Sequence, residues 1–354
     1  MTSFLQYFLR PFSWIYGWLT DFWHKQYDLG KKPSVKFEIP VISVGNLTVG
    51  GTGKTPHIEY IIRLLKDKMP LAVLSRGYGR KTKGFVLADN QSSAQSIGDE
   101  PMQYYLKFGK NTSHPVTVAV GEERILAIPQ ILAEKPEIQV ILLDDAFQHR
   151  KIRASLQILL CDYNKPFYED YPFPAGRLRE RRHGAKRSDI VIVSKCPESI
   201  SDAEKEVVKN HLKPYLKENT PVFFTGIRYA FPTPLHAHTW ETDTKEIILM
   251  TGIAQPKPLI EQLKNQFVIF EHFDYPDHHN YTMKDLQKVK KSFESIASNK
   301  KAILTTEKDI VKLKNPLFQD ITKDLPIFFI GIEVYFLEGK EDFDKKIVDR
   351  INAL

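Results

Sequence analysis

The stretch VGNLTVGGTGKTP, Val44 to Pro56, decides how the rest of this chain is read. It reads as the end of a strand, a glycine-rich loop and a lysine–threonine pair opening a helix, with Pro56 at a favoured first-turn position. Backbone N–H groups in such a loop converge on an anion and cradle phosphate oxygens. The helix that follows presents its positive end to the same anion. Lys54 is placed to reach β- and γ-phosphates, and the Thr55 hydroxyl to ligate Mg²⁺. The usual pattern is G-x-x-x-x-G-K-[ST]; Thr48 occupies its first position, while Gly50, Gly51, Gly53, Lys54 and Thr55 are in place. Thr48, Val49, Gly50, Gly51, Thr52, Gly53, Lys54 and Thr55 are therefore the expected phosphate cradle.

Outward from the loop, short β-branched runs alternate with helical stretches. Candidate strands are Val41–Val44, Leu71–Leu74, Val116–Val120, Val140–Leu143, Leu156–Cys161 and Ile190–Ser194. Ile58, Ile61, Ile62 and Leu65 mark an amphipathic helix between two of them. This alternation predicts an α/β fold, a P-loop NTPase-like parallel sheet with helices on both faces. After the loop signal Pro232–His236, a second block offers strands at Ile247–Met250, Val268–Phe270, Ala302–Thr305 and Ile327–Ile330. The expectation is a smaller second α/β domain. Phe223–Ile227 and Phe328–Ile332 resemble one another and are expected to pair as a two-stranded connector. The expected divisions are an aromatic helix over 1–30, a nucleotide domain over 31–230, a second domain over 231–335, and a C-terminal helix over 336–354 returning to the first domain.

Several polar clusters accompany the loop. Ile141-Leu-Leu-Asp-Asp145 is an apolar strand ending in two carboxylates, the pattern of a strand whose acid holds Mg²⁺ beside a phosphate loop. The same acids also suit helix capping. Gly98-Asp-Glu-Pro101 is a turn into a helix with acids in its first turn, and phosphoryl transfer to a hydroxyl needs such a carboxylate as proton acceptor. Asp277-His-His279 carries two histidines but no third ligand at metal spacing; a His–Asp dyad across a domain cleft is the alternative. The run from Arg177 to Arg187 is the most basic segment, suited to a solvated face, a phosphorylated substrate or anionic lipid headgroups. No motif for reading nucleic acid accompanies it.

Composition narrows the class. The chain has 354 residues and a net charge of +7, which favours acidic partners. Its two cysteines, Cys161 and Cys196, exclude a disulfide framework, and neither has a second thiol nearby in sequence to hold zinc. Three of the four tryptophans, Trp14, Trp18 and Trp23, fall in the first thirty residues. There Leu5, Phe8, Leu9, Phe12, Ile15, Tyr16, Leu19, Phe22 and Trp23 recur at helical spacing. Arg10 and Asp21 interrupt the run, and no uncharged stretch reaches the roughly 20 residues of a spanning helix. Either the helix packs on the domain, whole or broken at Pro11, or its aromatic face lies in a membrane surface.

Taken together, the chain resembles the tetraacyldisaccharide 4′-kinases, the lipid A 4′-kinases of Gram-negative bacteria. The matching segments are Val44–Pro56, Ser75-Arg-Gly-Tyr-Gly-Arg80, Gly98–Pro101, Leu143-Asp-Asp-Ala-Phe-Gln-His149, Arg177-Leu-Arg-Glu180, Asp277–His279 and Thr305-Thr-Glu-Lys-Asp309. They run in order over nearly the whole chain. Ala146 stands where the family commonly has glycine, and Ala175-Gly-Arg177 replaces a more usual Gly-Pro; neither change removes a reactive group.

The resemblance implies phosphorylation of the 4′-hydroxyl of a lipid A disaccharide 1-phosphate, with ATP and Mg²⁺. It also implies a monomer attached peripherally to the cytoplasmic face of the bacterial inner membrane, with no nucleic-acid partner. Lys54 and the loop amides then hold phosphates, and Thr55, Glu100, Asp144 and Asp145 arrange the metal. Asp99 is the expected proton acceptor, oriented by His278 or His279. Arg76, Gln148, Arg177 and Arg179 are the candidate substrate contacts. The competing reading is a regulatory GTPase or metallochaperone-type NTPase. A guanine reader has N-K-x-D, whereas Ser194-Lys195 is followed by Pro197 at the aspartate position.

Overall fold

The computed structural model describes residues 3–110 and 112–353. Residues 1, 2, 111 and 354, and the side chains of Ser3, Phe4 and Leu5, lie outside the described residues. The strands in chain order are β1 (Val41–Asn46), β2 (Leu71–Ser75), β3 (Val86–Leu87), β4 (Thr117–Val120), β5 (Val140–Asp144), β6 (Leu156–Asp162) and β7 (Ile190–Ser194). They continue with β8 (Val222–Tyr229), β9 (Thr233–Pro234), β10 (Glu246–Thr251), β11 (Val268–Asp274), β12 (Lys301–Thr306), β13 (Ile327–Ile330) and β14 (Ile332–Phe336). The helices are α1 (Ser3–Asp28), α2 (Lys54–Leu65), α3 (Ala94–Ile97), α4 (Asp99–Tyr104), α5 (Arg124–Glu134) and α6 (Asp202–Leu212). After them come α7 (Lys257–Lys264), α8 (Met283–Ser295), α9 (Glu307–Leu313), α10 (Gln319–Thr322) and α11 (Lys340–Asn352).

Nine strands form the first sheet in the order β14-β8-β7-β6-β1-β5-β2-β4-β3. Its interior pairings are parallel, and only β3 and β14 run antiparallel at the edges. Strands β1, β2, β5 and β7 are buried along their whole length, because helices cover both faces. On one face Ile42, Val44 and Leu142 pack with Ile58, Ile61 and Ile62 of α2 and with Phe343, Ile347 and Ile351 of α11. On the other, Val41, Leu74 and Leu143 pack with Ala127, Ile128 and Ile131 of α5. β1 lies between β6 and β5, so neighbouring connections diverge at its carboxyl end and open a crevice there.

The second sheet has the order β11-β10-β12-β13-β9 and is parallel except for β9. Here the structure corrects the expected connector. β8 pairs antiparallel with β14, Tyr229 opposite Ile332 and Thr225 opposite Phe336. Phe328–Ile330 instead lies inside the second sheet, between β12 and β9. The two segments look alike because both are buried strand interiors; the chain changes sheets at Gly331, whose carbonyl accepts from Ala230 N at 2.9 Å. The turn-like Pro232–His236 supplies β9, an edge position where proline's missing N–H costs nothing.

α1 is one continuous helix through Pro11. Its docked face carries Ser13, Tyr16, Gly17, Thr20, Asp21 and His24, a mostly polar stripe, all buried or half-buried. Its free face exposes Phe8, Phe12, Trp14, Ile15, Trp18, Leu19 and Phe22. A helix on a soluble domain has the reverse polarity. No described helix is long and apolar enough to cross a membrane.

Candidate active site

The loop after β1 is shaped by glycine and held from behind. Gly50 and Gly53 have φ of 111° and 86°, backbone space that other residues rarely adopt. Gly45 in β1 lies so close to Phe147 that an added Cβ would stand 2.7 Å from the Phe147 Cβ. The carbonyls of Gly51, Thr52 and Gly53 are taken by protein donors. The Ser194 hydroxyl donates to Thr52 O at 2.8 Å, and the Lys195 ammonium donates to Gly51 O while pairing with Asp162 at 2.7 Å. His57 Nδ1 lies 2.6 Å from Gly53 O, and its Nε2 lies 3.0 Å from Thr225 Oγ1. A carbonyl only accepts, so Nδ1 carries the proton and Nε2 accepts from Thr225. Burial lowers the His57 pKa to about 4, keeping the imidazole neutral. With these carbonyls engaged, the N–H groups of Gly50, Gly51 and Gly53 have no protein acceptor among the described residues and stand at the N-terminus of α2.

The two acids that end β5 have opposite environments. Asp144 is buried beneath the loop; the Tyr104 hydroxyl donates to its Oδ2 at 3.3 Å. Its Oδ1 has no partner among the described residues. Burial, with the charges of Glu100 and Asp145, pushes the Asp144 carboxyl up to about 7. Asp145 adopts a left-handed backbone, φ 50°, which swings its carboxylate the other way. Arg179 grips it through Nη1 at 2.9 Å and Nη2 at 3.0 Å, and Lys54 Nζ stands 3.7 Å away. Burial pushes Asp145 upward, but Lys54 and Arg179 outweigh it and hold the carboxyl below its ordinary range.

Asp99 and Glu100 open α4. Glu100 receives the Thr55 hydroxyl at 3.4 Å, which ties α4 to the phosphate loop. Asp99 faces the other sheet, where His278 Nδ1 meets its Oδ2 at 2.9 Å. Lys308 Nζ reaches His278 Nε2 at 3.1 Å, so Nε2 accepts and Nδ1–H donates to Asp99. Lys312 pairs with the same Asp99 oxygen at 3.0 Å. Burial raises the Asp99 carboxyl, but the bond from His278 and the charge of Lys312 outweigh that, and its pKa falls. His279 turns away: its Nε2 bonds Asp285 at 3.1 Å and its ring stacks on Tyr275. The two histidines thus part, and only His278 meets Asp99.

Of the four candidate substrate residues, three are committed to protein contacts. Arg177 pairs with Asp170 at 2.7 Å, Arg179 with Asp145, and Gln148 bridges Asn46 O at 2.8 Å and Glu180 at 3.0 Å. Arg76 is exposed and makes no hydrogen bond among the described residues. Sequence reasoning missed Lys308 and Lys312. The Thr305–Asp309 segment marked their neighbourhood, and their i, i+4 spacing puts both on one face of α9. It also missed His57, Asp162 and Lys195 as loop supports. Lys195, weighed only as the remnant of a base-reading motif, braces the loop instead.

A phosphate loop at the switch point of a parallel sheet, followed by an acid-tipped strand, places the molecule among the P-loop kinases. The chain belongs to the tetraacyldisaccharide-1-P 4′-kinase family, LpxK, whose family model matches residues 5–352. A tetraacyldisaccharide 4′-kinase of Bacteroides thetaiotaomicron is 42% identical over 96% of this chain and 92% of its own. That of Flavobacterium psychrophilum is 41% identical over 99% and 98%. Among solved structures, the "apo" form of LpxK from Aquifex aeolicus in complex with ATP superposes with a TM-score of 0.75. It is 29% identical and covers 98% of this chain and 99% of its own.

Proposed function

We propose that this chain transfers the γ-phosphoryl group of ATP to the 4′-hydroxyl of a tetraacyldisaccharide 1-phosphate. The names of its relatives and the ATP complex of the Aquifex protein support donor and acceptor alike. The observation that carries the mechanism is the 2.9 Å contact of Asp99 with His278, one residue from the Glu100–Thr55 link to the loop. Loop amides and Lys54 hold the phosphates. Asp99 accepts the hydroxyl proton as the new O–P bond forms and the β–γ bridging bond breaks, leaving ADP. His278, fixed by Lys308 in one tautomer, orients Asp99.

Thr55, Glu100 and Asp144 suit Mg²⁺. They are oxygen donors of the hard kind that ion requires. Asp144 Oδ1 is buried without a partner among the described residues, and burial, together with the charges of Glu100 and Asp145, raises its carboxyl. Mg²⁺ held by these residues would neutralise the negative charge of the phosphates. Asp145 belongs to the frame, bound by Arg179 and Lys54, rather than to the metal shell. Arg76 is the candidate free to meet the substrate 1-phosphate.

The membrane reading rests on the inverted polarity of α1. Contiguous exposed apolar faces mark interaction sites. Each large apolar side chain leaving water is worth about 1.5–3 kcal/mol. Arg10, Lys25 and Lys31 flank the face and suit anionic headgroups. The substrate's acyl chains lie in the same surface, on the cytoplasmic side of the inner membrane where ATP is present. The test is phosphate transfer from radiolabelled ATP to tetraacyldisaccharide 1-phosphate in mixed micelles with Mg²⁺. Formation of the 4′-phosphorylated product is expected; no labelled lipid from folded wild-type protein overturns the reading.

A further inference from the structure

One residue of the basic segment is tied to three parts of the molecule at once. The main-chain N–H of Arg179 donates to Leu47 O at 2.8 Å, at the entrance to the phosphate loop. Its guanidinium grips Asp145. Its main-chain carbonyl accepts from the Tyr16 hydroxyl of α1 at 3.0 Å. The flanking residues repeat the pattern. Val49 N donates to Arg177 O at 2.8 Å, and Ala175 N donates to Ser13 Oγ of α1 at 2.8 Å. Glu180 is buried and receives Gln148 and Arg187, with His24 of α1 at 3.3 Å. One strand of chain, 175–180, therefore has α1 on one side and the loop and Asp145 on the other.

We propose that Tyr16 is a positioning residue for phosphoryl transfer, acting through Arg179 on Asp145 and the loop, so that α1 is a strut of the active site as well as its attachment. The inference rests on the kinase reading above. Tyr16 suits the role because its ring edge packs on Phe173 while its hydroxyl is aimed at a single carbonyl. Backbone held at that carbonyl cannot slide along the loop, and Arg179 cannot leave Asp145 without moving it. Seating the apolar face of α1 on a lipid surface then stiffens the same strand.

The deciding variant is Tyr16→Phe, which removes one oxygen and leaves the exposed face of α1 intact. Binding to vesicles of phosphatidylethanolamine and phosphatidylglycerol should match wild type. The kcat for lipid phosphorylation should fall about 3- to 10-fold, the loss of one hydrogen bond, with KM for lipid little changed. Amide exchange at Val49 and Arg179 should quicken. Combined with Arg179→Lys, the double variant should lose less than the product of the two single losses. By contrast, Trp18→Ser should lower vesicle binding and leave those amides protected. Wild-type kcat in Tyr16→Phe, unchanged amide exchange, or fully multiplicative losses overturn the proposal. Failure of the wild-type protein to phosphorylate lipid would strike the kinase reading instead.

Discussion

The phosphate loop and the Asp99–His278 pair sit near one another but are built in opposite ways. The loop is braced within its own sheet, by Asn46, His57, Ser194 and Lys195. The Asp99–His278 pair spans two sheets: Asp99 stands on α4 beside the first, and His278, Lys308 and Lys312 follow β11 and β12 of the second. A second seam runs beside it, where Lys107 joins Glu59 of α2 to Glu307 of α9, each at 2.7 Å. A site made inside one sheet survives relative movement of the two sheets; a site made between them does not. On the roles proposed above, phosphate binding is separable from proton transfer, and the second depends on the two sheets meeting.

Asp99→Ala tests that separation most severely. It should lower kcat about 10²–10⁴-fold, the usual worth of a positioned proton acceptor. ATP binding, followed by calorimetry, should persist. His278→Ala should lower kcat as well, non-multiplicatively with Asp99→Ala, whereas His279→Ala should act weakly and through stability. Loss of ATP binding in Asp99→Ala would move that residue into the metal shell.

Lys54→Ala attacks the other half. Its kcat/KM should drop about 10²–10³-fold, by analogy with removing one preorganised charge-stabilising donor. Thermal unfolding should show a native fold, because Lys54 lies on the loop and in no hydrophobic core. Near-wild-type turnover in that variant would refute the loop assignment.

A smaller effect is expected at the seam. Lys107→Met leaves Glu59 and Glu307 facing each other without their shared cation. Glu59 is 1% exposed and its carboxyl is already raised by burial and by Glu307. The cost should be about 2 kcal/mol in urea unfolding, discounted because Lys107 itself is a quarter exposed. The rise in KM for lipid should exceed that for ATP if the seam governs closure. Equal effects would mean it is packing alone.

The smallest effect concerns pH and the loop. The His57 pKa, about 4 when folded, lies below its ordinary 6.5. The unfolded chain therefore binds a proton that the folded one refuses, and stability falls as pH drops from about 6.5 toward 4. Between pH 6.5 and 5 the share due to His57 is about 1–2 kcal/mol. His57→Asn should flatten the fall in unfolding free energy across that window by a similar amount. A fall as steep as wild type would show that His57 is not held neutral.

Much of this was readable before folding was considered. The glycine loop, the alternation of strands and helices, and the acid tip of β5 are local patterns, dictated by backbone conformation and by the 2.0 and 3.6 residue periods. Other features were readable only in outline. The aromatic face of α1 was legible, but its polar stripe took on meaning only from Ser13, Tyr16 and His24 meeting residues 175–180. The resemblance between Phe223–Ile227 and Phe328–Ile332 was real in composition and wrong as a pairing. Burial selects such residues in any interior strand, and composition does not record which strand lies beside which.

The sequence by itself marked a phosphate-binding loop and the residues expected to form it, because those residues are neighbours along the chain. The tertiary structure decided which histidine meets Asp99 and which arginine grips Asp145. Asp99 and His278 are 179 residues apart, and Tyr16 and Arg179 are 163 apart. No spacing rule reaches across such distances. Only the packing of one sheet against the other, and of α1 against 175–180, brings those groups within hydrogen-bond range.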